Sequence, residues 1–163
     1  MPPPRHRLKQ LVDWRAAVIA GFVAGIAYLA LQMTLLMIAT GSPWVAVRYM
    51  GAIVLGKGVL PPPSTFDATT FAAALAVHIP LSIAFGCLIA FILHRWGLVV
   101  GLIGGALLGL ALYGINFWTL AQWFPWFVPL RGSIGLVSHV VFGAVAGFVY
   151  ELLEVERFVR VEE

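Results

Sequence analysis

The sequence predicts an all-α integral membrane protein: a bundle of four transmembrane helices with a short interfacial or re-entrant helix in the first outer loop. Of its 163 residues, 61% are hydrophobic and only 10% are charged, whereas a soluble domain carries roughly a quarter charged residues. Four apolar stretches reach the length of about 20 residues that a membrane-spanning helix needs. One transmembrane domain, residues 1–163, therefore accounts for the whole chain.

The four predicted spans differ in what interrupts their apolar runs. The first carries no formal charge, the second contains His78 and Pro80, the third is rich in glycine, and the fourth ends near Glu151. The tail after Glu151 is expected to continue the fourth helix into water, with Glu156 and Arg160 paired at a spacing of four. The spans cover residues 16–39, 68–93, 98–120 and 133–153, and the outer loops cover residues 40–67 and 121–132.

The first outer loop contains a short apolar segment that cannot cross a bilayer. Ser42 followed by Pro43 is typical of a helix start, with Ser42 as the N-cap. Gly56 and Gly58 are expected to end the helix. A segment of this length and apolarity favours an interfacial or re-entrant position.

Basic residues predict the orientation, because loops on the cytoplasmic side are enriched in Lys and Arg. An N-terminus in the cytoplasm would place seven of the ten basic residues on that side and leave three outside. Both termini are therefore expected to be cytoplasmic. The seven are Arg5, Arg7, Lys9, Arg15, Arg95, Arg157 and Arg160, and the three are Arg48, Lys57 and Arg131.

Several function classes are disfavoured by what the sequence lacks. The basic residues form no contiguous patch with interleaved aromatics, so we expect no nucleic-acid partner. The single cysteine, Cys87, excludes an intramolecular disulfide and a CxxC motif. No nucleotide-binding, zinc-protease or hydrolase motif occurs, so we expect no enzyme. No span contains a central acidic residue, which argues against a sodium- or proton-coupled transporter.

Small residues recur at a spacing of four in three of the spans. Glycines at this spacing let helix backbones approach closely inside a bilayer. We therefore interpret them as helix-packing residues, with a pore-lining seam as the alternative. They are Gly21 and Gly25 in the first span, Gly97, Gly101, Gly105 and Gly109 in the third, and Gly143 and Gly147 in the fourth.

Polar residues at similar depths in three spans form the candidate site. His78 and Ser82 lie on the second span, Tyr113 and Asn116 on the third, and His139 on the fourth. Each must find a partner or water inside the bilayer. Hydrogen bonding between helices is the simplest interpretation. The alternatives are a proton- or solute-handling site, two axial ligands of a b-type haem (His78 and His139), and a copper or zinc site.

Short polar and aromatic motifs extend along most of the chain. They are Ser42-Pro43-Trp44, Val54-Leu55-Gly56, the run Val59 to Asp67, His78, His94-Arg95, the run Leu112 to Phe117, Phe124-Pro125-Trp126, Ser138-His139 and Phe142-Gly143. Together they resemble a family of small bacterial four-helix membrane proteins of unknown function that sometimes carries the label "sodium:proline symporter". The resemblance implies a location in the bacterial inner membrane, and nothing in this chain supplies the sodium site of that label.

The function predicted from the sequence is that of a non-enzymatic accessory or scaffolding protein. Its glycine-rich helix faces suggest assembly into a homo-oligomer or with the subunits of a larger membrane complex. A haem- or metal-carrying electron-transfer subunit that uses His78 and His139 is the first alternative. A small transporter or proton-handling protein is the second.

Overall fold

The computed structural model describes residues 6–162, and within that range it contains four helices long and apolar enough to cross a membrane. The predicted fold class is therefore confirmed, and the chain is a membrane protein. Arg5, one of the basic residues used to predict orientation, lies outside the described residues. The helices are α1 (Trp14–Thr40), α2 (Val45–Leu55), α3 (Ala68–Leu93), α4 (Leu98–Gly114) and α5 (Ser133–Leu153).

The third span extends beyond α4. A π-helical segment, Ile115–Thr119, continues it, and a 3-10 turn, Leu120–Gln122, ends it. A further 3-10 segment, Pro125–Leu130, then leads to α5. Segments of π-helix are rare and often occur at functional sites.

Aspartates cap two of the long helices. The Asp13 carboxylate accepts hydrogen bonds from the backbone N–H groups of Arg15 and Ala16, at 3.0 and 3.1 Å. Asp67 accepts one from the N–H of Thr70 at 2.7 Å. These three bonds satisfy N–H groups that have no partner within the first turn of a helix.

The short helix α2 begins two residues later than the sequence predicted. Trp44, and not Ser42, is the N-cap residue. The Ser42 hydroxyl donates to the carbonyl oxygen of Ser64 in the loop that follows α2. The same hydroxyl accepts from the N–H of Trp44 at 3.3 Å, so Ser42 joins two loops and does not cap the helix. Gly56 ends α2, as expected, with a positive φ of 80° that favours glycine.

The long helices are arranged in the order α4, α5, α1, α3 around the bundle, with α2 packed against α3. The short turn between α3 and α4 keeps these two helices close at one end. Beyond that turn they make few contacts, whereas α4 and α5 contact each other extensively. The ring of helices is therefore open between α3 and α4.

The two ends of the described chain pair with each other. Strand β1 (His6–Leu11) and strand β2 (Arg157–Glu162) form an antiparallel two-stranded sheet in which Lys9 pairs with Val159. The prediction that the tail continues α5 as a helix, with Glu156 and Arg160 on one face, is therefore wrong. The alternating, β-branched sequence of β2 favours a strand once a partner strand is available. We call the end of the bundle that carries this sheet the terminal end, and the opposite end the loop end.

Glycines form the contact between α4 and α5. A Cβ atom on Gly105 would collide with the Gly143 carbonyl oxygen, and one on Gly109 with that of His139. A Cβ on Gly147 would lie 2.8 Å from the carbonyl carbon of Gly101. The backbones of the two helices thus touch, which only glycine permits.

A second glycine contact joins α1 to α3. A Cβ on Gly21 would lie 2.8 Å from the Cα of Ile83, and one on Gly25 would lie 2.7 Å from the Ser82 hydroxyl.

Gly97 differs from the other glycines that recur at a spacing of four in the third span. It precedes α4 with φ of 76°, and among the described residues no atom outside the turn lies within 4 Å of its Cβ position. Gly97 therefore serves the turn and not the helix contact that its spacing predicted.

Candidate functional site

His78 lies on the face of α3 that meets α1. Its Nε2 atom is 2.9 Å from the carbonyl oxygen of Gly25 and 3.5 Å from the Ser82 hydroxyl. A carbonyl oxygen can only accept, so Nε2 carries the proton and donates to Gly25. A Cβ on Gly25 would lie at an ordinary contact distance of 3.6 Å from this Nε2 but only 2.7 Å from the Ser82 hydroxyl, so glycine here lets α3 come close to α1.

His139 is held at both ring nitrogens. Its Nδ1 is 2.7 Å from the carbonyl oxygen of Gly135, one turn earlier in α5. Nδ1 must therefore donate, which leaves Nε2 as an acceptor. The amide nitrogen of Asn116 donates to this Nε2 at 2.9 Å. Asn116 belongs to the π-helical segment after α4, so the distortion of that helix places the amide opposite His139.

Two residues of α1 that were not predicted as site residues complete the cluster. The ring of Tyr28 lies between the two imidazoles, with its centroid 5.5 Å from that of His78 and 5.0 Å from that of His139. Gln32, one turn further along α1, is only 1% exposed. Gly25, Tyr28 and Gln32 fall on one helix face, so the face could have been read from the sequence.

Tyr113 lies beside the cluster and serves the fold. Its ring packs at 5.7 Å from His139 and 5.1 Å from Phe117. Its hydroxyl accepts from the N–H of Gly132 at 3.1 Å, just before α5 begins. Tyr113 therefore fixes the start of α5 relative to α4.

A cavity of about 290 Å³ adjoins these residues. Its walls are apolar and aromatic, whereas the polar side chains named above meet in one region of its lining. Leu81 lies at the wall formed by α3 and is 39% exposed, which agrees with an opening between α3 and α4. The lining includes Tyr28, Gln32, His78, Ser82, Asn116 and His139 among the polar residues, and Met50, Leu81, Phe85, Leu120, Phe127 and Phe142 among the apolar ones.

The aromatic segment between the third and fourth spans covers the loop end of this cavity. The indole N–H of Trp126 donates to the carbonyl oxygen of Tyr49 in α2 at 3.0 Å. Phe124 and Phe127 contribute to the cavity wall, whereas Trp123 is 69% exposed. The segment and α2 together form a cap over the site.

A second cavity, of about 320 Å³, lies beyond the first toward the loop end. Gln32 and Leu130 line both cavities and so form the wall between them. Arg131 also lines the second cavity, and its guanidinium donates to the carbonyl oxygen of Phe117 at 2.7 Å.

Two buried side-chain oxygens in the lining of the first cavity lack a hydrogen-bond partner. Within residues 6–162, the side-chain oxygens of Gln32 and Asn116 are buried and make no hydrogen bond. A buried acceptor without a partner costs about 1–3 kcal/mol. Native proteins leave few such atoms, and those that occur call for an explanation such as a bound ligand or water.

The geometry argues against metal or haem ligation by the two histidines. Both Nε2 atoms form hydrogen bonds to protein groups, and the Nδ1 of His139 does as well. Three of the four ring nitrogens would have to leave their partners before they could bind a metal ion, and in the described part of the chain only Nδ1 of His78 is free to do so. Across the described range, no group of three His, Cys, Asp or Glu side chains is arranged to hold a metal ion.

Comparison of the chain with protein-family models, curated proteins and solved structures finds no match.

Proposed function

We propose that this protein is a non-enzymatic membrane protein that binds a lipophilic small molecule in the cavity between α3 and α4. One observation carries the proposal: an apolar cavity, open at its side, contains buried polar atoms without partners. Ligand pockets in proteins typically combine apolar walls with a few polar groups that fix orientation. A volume of about 290 Å³ suits a small ring with a short apolar substituent.

The position of the opening supports a ligand that arrives through the bilayer. The side of the bundle between α3 and α4 would face lipid in a membrane, so a lipophilic molecule could enter without crossing water. The histidines are held by hydrogen bonds that keep their rings in place, and this suits a binding site more than a site of proton transfer.

Both termini are proposed to lie in the cytoplasm of a bacterium, with the chain in the inner membrane. The pairing of β1 with β2 supports placement of both ends on the same face. The excess of basic residues at the terminal end supports the cytoplasm as that face. The cavity would then lie in the outer half of the bilayer.

The accessory role stays part of the proposal, in a changed form. Gly101, Gly105 and Gly109 meet Gly143 and Gly147 within the chain. Assembly with other subunits would therefore use other surfaces than these glycine faces. A subunit that carries a lipophilic molecule for a larger complex is consistent with the cavity and with glycine faces that are used within the chain.

Binding can be tested on the purified protein in a nonionic detergent by scintillation proximity. The probes are tritiated 4-pentylphenol, 4-pentylanisole and pentylbenzene. We expect saturable binding of at least one probe. Ala121→Phe, which fills the cavity from its buried wall, should weaken it at least tenfold, about 1.4 kcal/mol.

Two further variants control for damage to the fold. Leu81→Trp should also weaken binding, because it obstructs the opening from a position that is already partly exposed. Ala111→Phe adds the same bulk on the exposed face of α4 and should leave binding unchanged. The proposal is refuted if no probe binds saturably, or if Ala111→Phe weakens binding as much as Ala121→Phe does.

A further inference from the structure

We infer that the head group of the bound molecule donates hydrogen bonds, as the hydroxyl of a phenol, a hydroquinone or another hydroxylated ring does. The inference rests on the proposed function and specifies its ligand. It follows from which atoms of the site are already engaged and which are left over.

The first free acceptor follows from a chain of hydrogen bonds that begins at the backbone. The carbonyl oxygen of Gly135 requires a proton on Nδ1 of His139. Nε2 of the same ring is then an acceptor, so the Asn116 amide must present its NH₂ group there. The orientation of this amide is thus fixed, and its oxygen is the atom without a partner.

Two further acceptors lie in the same lining. The Gln32 oxygen is buried and without a partner, in a side chain that is 1% exposed. The terminal torsion of an amide side chain is broad, so this oxygen can turn toward a ligand. On His78, Nε2 donates to Gly25, so Nδ1 is unprotonated and has a lone pair that can accept a hydrogen bond. The Asn116 oxygen and Nδ1 of His78 can only accept, so a ligand that pairs with both of them donates. The Gln32 amide and the Tyr28 hydroxyl can each donate or accept and are compatible with such a ligand.

The shape of the site favours a ring as the head group. Aromatic side chains form much of the lining, including Tyr28, Phe117 and Phe142. Around the polar cluster they already pack edge to face, as Tyr28 does on His139 and on Phe142. Such packing extends naturally to one more planar ring. The apolar substituent would point toward Leu81 and Phe85, at the opening between α3 and α4.

The three probes named above distinguish a donating head group from a merely apolar one. Their alkyl chains and rings are the same. Only 4-pentylphenol can donate, while the anisole is slightly larger and pentylbenzene slightly smaller than the phenol, so size alone cannot produce the expected order. We expect the phenol to bind at least about tenfold more tightly than both others, since a buried acceptor left unpaired weakens binding.

The variant Gln32→Met tests whether the acceptors of the site produce this preference. It removes a buried atom without a partner and keeps the length of the side chain, so the fold should be as stable as before or more so. The phenol-to-anisole affinity ratio should fall at least threefold. Gln122→Met alters an exposed amide outside the cavity lining and should leave the ratio unchanged.

The outcomes separate this inference from the proposed function. Anisole or pentylbenzene binding as tightly as the phenol would overturn the donating head group and leave ligand binding intact. A phenol preference that Gln32→Met does not reduce would also overturn it. The absence of saturable binding for all three probes would instead refute the proposed function itself.

Discussion

Among single residues, the glycines between α4 and α5 matter because they have no Cβ atom, which would collide with the facing helix. Gly109→Ala would place a Cβ against the carbonyl oxygen of His139 and 3.1 Å from the backbone nitrogen of Gly143. Neither neighbour is a flexible side chain that could move away. We expect a loss of about 1–3 kcal/mol in the free energy of unfolding, the usual cost of overpacking. Unfolding of the purified protein in mixed micelles measures it.

Gly114→Ala is the matched control for this substitution. Gly114 ends the same helix with φ of −57°, and no atom lies within 4 Å of its Cβ position. Alanine should therefore be tolerated there, or stabilise the helix by up to about 1 kcal/mol. Equal effects of the two alanines would show that the backbone contact is not what holds the helices together.

Residues of the candidate site differ in how well the sequence revealed them. His78, Ser82, Asn116 and His139 drew attention because a polar side chain inside a span needs a partner. Tyr28 and Gln32 did not, although both face the same cavity. The first span carries no formal charge, and a neutral amide such as that of Gln32 does not change this. Depth alone also placed Tyr113 in the cluster, whereas its hydroxyl bonds the start of α5.

Among the elements, Asp13 joins the start of α1 to the segment just before β2. One carboxylate oxygen caps α1, and the other accepts from the N–H of Val155, just before β2, at 3.2 Å. Hydrogen bonds from the backbone, chiefly that of Ala16, hold the pKa of the Asp13 carboxyl below its ordinary value of 3.8. The ionised group therefore stabilises the fold above about pH 4, and this contribution is lost as the pH falls through the lowered pKa.

The variant Asp13→Asn tests this linkage. Asparagine can still cap α1 through its oxygen, but its NH₂ group cannot accept from the N–H of Val155, so the variant should be less stable than the wild type near neutral pH. Between pH 5 and 3, its midpoint of thermal unfolding should fall less than that of the wild type, because the amide does not titrate. Far-ultraviolet circular dichroism in a nonionic detergent measures the unfolding midpoints of both proteins. Glu156→Gln removes an exposed carboxylate and should retain the wild-type slope; an identical slope for Asp13→Asn would contradict the assigned role.

The elements divide into those that local sequence determines and those that depend on distant partners. The spans were predicted to within a few residues because hydropathy is a local property, and Asp67 begins α3 as its capping chemistry indicates. The sheet between β1 and β2 was missed because each strand needs a partner at the other end of the chain. The π-helical segment around Asn116 has no local signature either, since it depends on how the third span meets α5.

At the scale of the whole molecule, the direction of the bundle in the membrane decides from which side the cavity is reached. The proposed orientation places Leu8 of β1 in the cytoplasm and Thr65, in the loop before α3, outside. Both side chains are exposed in the structure, and neither carries a charge whose loss would alter the charge balance that sets the topology. Single cysteines at these positions, in a background of Cys87→Ala, can therefore report the orientation.

In spheroplasts of bacteria that express the protein, a maleimide that cannot cross membranes should label Thr65→Cys and not Leu8→Cys. Lysed membranes should give labelling of both, which shows that each cysteine is reactive. Labelling of Leu8→Cys alone would show that the bundle has the opposite orientation, since the paired strands keep both termini on one face. The cavity would then lie in the inner half of the bilayer, and its ligand would come from that leaflet.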